Sequence, residues 1–284
     1  MTIVFSLGAP KANKVVIDKN YLPDPFNYTL QLKITNQSLD TLYYRLSLVN
    51  LDNWSISSPS DGKLGAISGQ SASYFLVTLQ RAKPSTDVHE AGYLKLEAFT
   101  DQYYSNKVDE GQQPIDFYIE DLEAFTNVTI HTFQNDMEGW SRVYDPSYDV
   151  VDLVTSPDVE GGGHSVRAYS SRGNYHEVGI EKSVTLPSNS KVRLAFMWTY
   201  SRSNARFCDV KIYINGELVY DFYWHQKCEY GSDSGSKWYK SGVDISEYAG
   251  QEVTIRIVCG GNAYQQGVNS FEMRIDHIVI AGKD

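Results

Sequence analysis

Four stretches in the C-terminal half alternate apolar residues with others without a break. They are Val192, Leu194, Phe196, Trp198 and Tyr200; Val210, Ile212 and Ile214; Val253, Ile255, Ile257 and Cys259; and Phe271, Met273, Ile275, His277 and Val279. Successive side chains of a strand point to opposite faces, so each stretch lays an apolar row on one face of a sheet. Four such rows are covered by packing on one another, which makes a β-sandwich. The composition agrees: 21 tyrosines and five tryptophans against four methionines suit pleated surfaces, and no long stretch carries a 3.6-residue period.

The N-terminal part repeats the pattern. Tyr28, Leu30, Leu32 and Ile34 alternate with polar residues, as do Leu42, Tyr44, Leu46 and Leu48, and Ser73 to Leu79 and Tyr93 to Phe99 are further strand candidates. Turn-rich breaks separate them at Asn36-Gln37-Ser38-Leu39-Asp40 and Ser58-Pro59-Ser60-Asp61-Gly62-Lys63. Trp54 follows a strand and reads as a core plug rather than a ligand platform. Tyr103-Tyr104 has no alternation to bury it and reads as exposed. A length of 284 residues suits two domains, and the segment Phe133 to Trp140 looks like the opening of the second. The expected division is 1–127 and 128–284, all β, as two antiparallel sandwiches.

The hairpin at Asn215-Gly216 offers two registers. A two-residue turn sets Ile212 opposite Val219. A three-residue turn sets Ile214 opposite Leu218, Ile212 opposite Tyr220 and Val210 opposite Phe222, keeping large apolar residues on one face, and is preferred. It also brings Cys208 opposite Trp224, which makes a Cys208–Cys228 disulfide geometrically feasible and leaves Cys259 as a buried free thiol.

Charge narrows the partners. The net charge is −10, so a phosphate backbone would be repelled and nucleic acid is not expected. No window reaches the roughly 18 apolar residues of a membrane span, and a soluble chain is expected. Without Cys-x-x-Cys or a Cys/His cluster, zinc is not expected. Sequons begin at Asn27, Asn36, Asn53 and Asn127 and are compatible with an extracellular protein.

The order of features in the N-terminal part, a strand ending Thr35-Asn36-Gln37-Ser38, then Trp54-Ser55-Ile56, then Gly69-Gln70-Ser71, loosely resembles immunoglobulin-like accessory domains of surface proteins. In the C-terminal part, Phe133 to Trp140, the Tyr213-Ile214-Asn215-Gly216-Glu217-Leu218 hairpin, Val243 to Gly250 and the closing Ile275-Asp276-His277-Ile278 resemble the galactose-binding-like jelly roll of many carbohydrate-binding modules. That resemblance implies a structural Ca2+ tying the first strand to the last and to a Gly-rich loop, with Asp276 at the position of the family's acidic ligand. The family's opening strand carries an acid directly after the aromatic; this chain has Gln134 there. Gln134, Asp136, Asp276 and carbonyls near Glu160 to Gly163 are the candidates for the six to eight oxygens that calcium takes.

Sugars are held by aromatic faces and by planar amide or charged groups paired with hydroxyls. The segments around Tyr200, Arg202, Asn204 and Arg206 and around Trp224 and His225, with Trp238 and Tyr239 nearby, hold the richest set of such groups and form the expected ligand site. His277 reads as a satisfied core histidine. No nucleophile elbow, phosphate loop, zinc-protease helix or dinucleotide fingerprint occurs. The function expected is a non-catalytic module that binds a glycan or polysaccharide on an extracellular or cell-surface protein. Alternatives are a structural component of a surface layer, appendage or virus, and a jelly-roll polysaccharide lyase using Tyr200, Arg202, Arg206, His225 and Gln226.

Overall fold

The computed structural model describes residues 4–7, 14–20, 22–155, 163–172, 174–203, 205–223, 238–263 and 270–284. Among these, helix is confined to two single 3-10 turns, Leu122–Ala124 and Ser246–Tyr248. No helix there is long and apolar enough to cross a membrane. Everything else regular is strand, with antiparallel registers throughout the recorded pairs. The chain divides into two compact units, one of residues 1–15 and 19–120, the other of Val16–Asp18 and 121–284.

The first unit contains β1 (Val4–Leu7), the start of β2 (Lys14–Asp18), β3 (Phe26–Asn36), β4 (Leu42–Val49), β5 (Trp54–Ser58), β6 (Lys63–Ile67), β7 (Ser71–Arg81), β8 (Val88–Phe99) and β9 (Lys107–Glu120). They run in the orders β1-β3-β7-β5 and β9-β8-β4-β6. The alternating residues meet in the core: Leu32, Ile34, Val77, Leu79, Leu94, Leu96, Ile115 and Phe117 are all buried. Trp54 is the plug that its position suggests. It stacks on Phe117 with centroids 4.2 Å apart, meets Phe26 edge-on at 5.5 Å, and donates its indole N–H to Glu90 at 2.7 Å. Glu90 also takes the fork of Arg81 at 2.9 and 2.7 Å.

The break at Asn36 to Asp40 is locked by one side chain. The Asn36 amide donates to the carbonyls of Asp40, Ile67 and Ser68, and its oxygen accepts from Ser38 N and Oγ. At 1% exposure this asparagine is closed to glycosylation in the folded protein, unlike the exposed Asn27, Asn53 and Asn127. The aromatic pair splits: Tyr103 is 79% exposed, whereas Tyr104 lies edge-on to Tyr43 and Phe99.

The second unit contains β10 (Asn127–His131), β11 (Ser141–Val143), β12 (Asp149–Val154), β13 (Ser165–Ser170), β14 (His176–Thr185), β15 (Lys191–Ser203), β16 (Ala205–Ile214), β17 (Glu217–Tyr223), β18 (Tyr239–Asp244), β19 (Glu252–Ala263) and β20 (Ser270–Lys283). One sheet runs β12-β13-β20-β15-β18 and on to β2, with β10 also on β20; the other runs β11-β14-β19-β16-β17. From β13 to β16 and again from β17 to β20 the chain passes between the two sheets at each step, the winding of a jelly roll. All four alternating stretches sit in these strands. Trp198, Ile212, Ile257 and Ile275 lie in the core between the sheets, and Cys259 is a buried free thiol. Cys228 lies outside the described residues, as does the side chain of Cys208, and so does the disulfide expected between them.

The hairpin register combines the two alternatives. The turn is two residues long, with Ile214 opposite Glu217 and Tyr213 opposite Leu218, which corrects the expected three-residue turn. A bulge between Ile212 and Tyr213 then restores Ile212 opposite Tyr220 and Val210 opposite Phe222. The physical reason is that Asn215 and Gly216 both adopt positive φ, 52° and 82°, the geometry of a tight primed turn. The bulge absorbs the one-residue mismatch, and Val219 and Tyr220 are both buried.

Candidate functional site

Since Val210, Ile212 and Ile214 of β16 face the core, Asp209, Lys211 and Tyr213 must face outward. The registers align them with neighbours in rows across the second sheet. Glu177, Gly260 and Asp209 form one row; Gly179, Val258, Lys211 and Asp221 the next; Glu181, Arg256 and Tyr213 the third. Five polar side chains meet there. Tyr175 donates to Asp209 at 2.9 Å and to Glu177 at 3.1 Å, Tyr213 donates to Glu177 at 2.8 Å, and Lys211 pairs with Glu177 and Asp209, each at 3.1 Å. The Lys211 ammonium also contacts the Tyr175 hydroxyl and lies 4.9 Å from that ring's centroid.

The glycine in this arrangement is required by space. A Cβ at Gly260 would collide with the Asp209 carboxylate and come within 2.8 Å of Tyr175 Cζ, so only glycine lets the two meet above β19. A second network fixes the chain just beyond Tyr175. His176 Nε2 lies 2.6 Å from the buried Asp149 carboxylate, which also accepts from Asp145 N at 2.6 Å.

The electrostatics follow from partial burial with one ammonium among several acids. Burial alone would raise Glu177, but the hydrogen bonds from Tyr213 and Lys211 outweigh it and hold its carboxyl below the usual range. Burial raises Asp209 despite Lys211 beside it. Asp221 is pushed up to about 6 by burial and by the Asp209 charge. Tyr213 goes to about 12, through burial and its bond to Glu177. Burial opposes the charge on Lys211, yet Tyr175 and Asp209 raise its pKa and keep it an ammonium.

Chemically, the patch presents a fixed cation, carboxylate acceptors and two phenols. The Tyr175 ring is 46% exposed while its hydroxyl is tied into the cluster. An exposed aromatic face beside charged donors and acceptors is the combination that holds a sugar ring by its C–H face and its hydroxyls.

The expected ligand residues fall partly within view. Tyr200 and Arg202 lie on β15, with backbone opposite Met273 and Phe271, and Arg206 lies on β16; their side chains are outside the described ones. Asn204, Trp224 and His225 lie outside the described residues. Trp238 is half-buried. Tyr239 pairs with Trp198 and stacks on it at 4.7 Å, backing the core. In sequence, Arg206 stands three residues before Asp209 and Trp224 three residues after Asp221.

The calcium candidates lie at an interruption in the first sheet. Along one side of β20, β10 ends with His131 opposite Ile278 and β13 begins with Val166 opposite Ile275, which leaves Asp276 and His277 between them. Asp276 is fully buried, and one of its oxygens accepts the His277 N–H at 2.7 Å. The Gln134 side chain packs directly on Gly163, and the Gln134 carbonyl lies 2.9 Å from His164 Nδ1. Gln134 therefore stands between the end of β10 and the start of β13. Asp136 is turned into its own loop, accepting from Glu138 N at 2.6 Å. Sequence reasoning passed over Glu138, which closes this segment by accepting from Thr132 N, Phe133 N and His131. Residues 156–162, which include most of the carbonyls expected near the calcium, lie outside the described residues.

No family model matches the chain, and no curated protein matches it. Among solved structures, it is similar to a CBM27 module of Caldicellulosiruptor saccharolyticus in complex with mannohexaose, at 12% identity and TM-score 0.43 over 56% of this chain and 99% of that one. It is also similar to the CBM22-1 xylan-binding domain of Paenibacillus barcinonensis Xyn10C, at 14% identity and TM-score 0.36 over 56% of this chain and 96% of that one. The CBM22-1–CBM22-2 tandem of the same enzyme aligns over 99% of this chain and 91% of its own, at 11% identity and TM-score 0.37.

Proposed function

We propose that the second unit binds a neutral or weakly charged glycan on the outer face of its β11-β14-β19-β16-β17 sheet, and that the protein is a non-catalytic carbohydrate-binding module. The observation that carries this reading is the patch of Tyr175, Glu177, Asp209, Lys211 and Tyr213, in which an exposed ring stands beside a lysine and two acids held by mutual contacts. Those groups are preformed, so a sugar need not order them on binding. Tyr200, Arg202, Asn204, Arg206, Trp224 and His225 remain further candidates for ligand contact in this reading.

The first unit serves as an immunoglobulin-like support. Its strand orders, β1-β3-β7-β5 and β9-β8-β4, match the A-B-E-D and G-F-C orders of immunoglobulin sheets, which supports this assignment, although β6 beside β4 follows β5 in the chain, unlike a C′ strand. A structural calcium held by Asp276 and Gln134 with neighbouring carbonyls ties the opening segment to β20. The module works outside the cell or on its surface, where its polysaccharide would be met.

A glycan-array screen of the full chain, with calcium and with a chelator, tests the proposal. Xylan and mannan oligosaccharides belong in the first set, being the ligands named for the similar structures. Binding to a defined glycan class is the expected outcome. A folded, calcium-replete protein that binds nothing on the array would instead favour a structural role in a surface assembly.

A further inference from the structure

We infer that Asp18, Glu123 and His277 form a site for a divalent transition cation of the Zn2+ type, apart from the calcium position and the glycan patch. The three residues are remote in sequence but belong to the same compact unit. Asp18 ends β2, Glu123 lies on the 3-10 turn at Leu122–Ala124, and His277 stands in the middle of β20. One ligand atom from each, two carboxylate oxygens and a ring nitrogen, lies within 4.8 Å of the other two.

The spacing has the scale of a metal polyhedron. His277 Nε2 and Glu123 Oε1 are 3.5 Å apart. Zinc–nitrogen and zinc–oxygen bonds of about 2.0–2.2 Å give a tetrahedral edge of about 3.3–3.6 Å. Asp18, with a carboxylate oxygen within 4.8 Å of both, is placed to supply a third vertex, and water can supply the fourth.

The donor set decides the class of ion. Calcium and magnesium take oxygen ligands, whereas an imidazole nitrogen among carboxylates suits zinc and its neighbours in the first transition row. Asp18 and His277 are buried, at 8% and 3% exposure, while Glu123 stands at the exposed edge, and a buried carboxylate beside a histidine favours a compensating cation. The backbone also presents the ring: His277 has φ 49°, so it leaves the pleat of β20 at the point where Asp276 occupies the gap between β10 and β13. Sequence spacing could not show this group, because its members stand at 18, 123 and 277 with no local motif.

A protonated His277 paired with the two acids is the competing account, and titration of metal-stripped full-length protein separates the two. Zn2+ is added under calorimetry, and Co2+ is followed by visible absorption, to wild type, Glu123→Gln and His277→Asn. Glu123 is 37% exposed, so its amide variant should fold, and asparagine tolerates the left-handed backbone at 277. The expected result is stoichiometric Zn2+ binding by the wild type, at least about tenfold weaker in both variants, since loss of an outer-shell partner alone has that effect. Co2+ should give the intense visible bands of a four-coordinate ion, absent from His277→Asn. No Zn2+ binding by the wild type, or equal affinity in wild type and Glu123→Gln, would overturn the proposal in favour of the ion pair or of a site elsewhere.

Discussion

Asp221 is the residue whose environment most plainly opposes its charge. Its Oδ1 is buried without a hydrogen-bond partner, and burial together with the Asp209 charge pushes its pKa up to about 6, above the ordinary aspartate range. The folded state therefore holds this proton more tightly than the unfolded chain. Its contribution to stability is full below about pH 4, declines as pH rises through 6, and is lost above that. Asp221→Asn should consequently raise the melting temperature at pH 7.5 and leave it nearly unchanged at pH 4, as thermal melts at the two pH values would show. Trp54 belongs to the other unit and carries no ligand role. Truncating it to alanine removes the stack on Phe117 and one of the donors to Glu90, for a loss of about 3–5 kcal/mol in denaturant unfolding. Trp54 was legible as a plug from its place after a strand. The patch was half legible: Asp209-Val210-Lys211-Ile212-Tyr213-Ile214 spells an apolar inner face, and its outer face holds two charges and a phenol. What no local pattern shows is that Tyr175 and Glu177 reach the same spot, because β19 intervenes between β14 and β16 and comes from much later in the chain.

At the scale of elements, alternation located the strands well because each buries one face against a partner sheet. It located the hairpin register less well. Alternation fixed the Ile212–Tyr220 and Val210–Phe222 pairs, while the backbone preference of Asn-Gly fixed a shorter turn, and the bulge reconciles the two. The Asn215 backbone N–H donates to Thr254 O and its side-chain oxygen accepts from Thr254 N, both at 2.9 Å, which ties the tip to β19. Gly216→Ala meets no atom within 4 Å, so its effect is purely conformational. A φ of 82° should make it cost about 1–2 kcal/mol, read from the urea midpoint. The interruption along β20 is a second place where two preferences meet. The resemblance to jelly-roll modules pointed to Asp276, and the strand gap explains why a buried acid belongs there. On the calcium proposal, Ca2+ should raise the melting temperature of the wild type and lose that effect in Asp276→Asn; an equal rise in both would remove Asp276 from the ligands.

For the whole molecule, a net charge of −10 disfavours a phosphate-backbone partner, and the proposed glycan surface is one sheet face of the second unit. Its fold class was readable because alternation is a local property of strands. Its proposed ligand surface was not, because that surface is assembled from β14 and β16 across β19, whereas the residues expected to bind were drawn from other segments. The most direct test is calorimetric titration of the full chain, as wild type and as Tyr175→Ala, with the best oligosaccharide from the array. Removing an exposed ring that stacks on sugar forfeits about 0.5–1.5 kcal/mol beyond its buried area, so affinity should fall by roughly tenfold or more; the melting temperature also falls, because buried Asp209 loses its Tyr175 donor, and the titration is run where the variant is fully folded. Unchanged affinity in a folded Tyr175→Ala protein would contradict the assignment of this face as the glycan site.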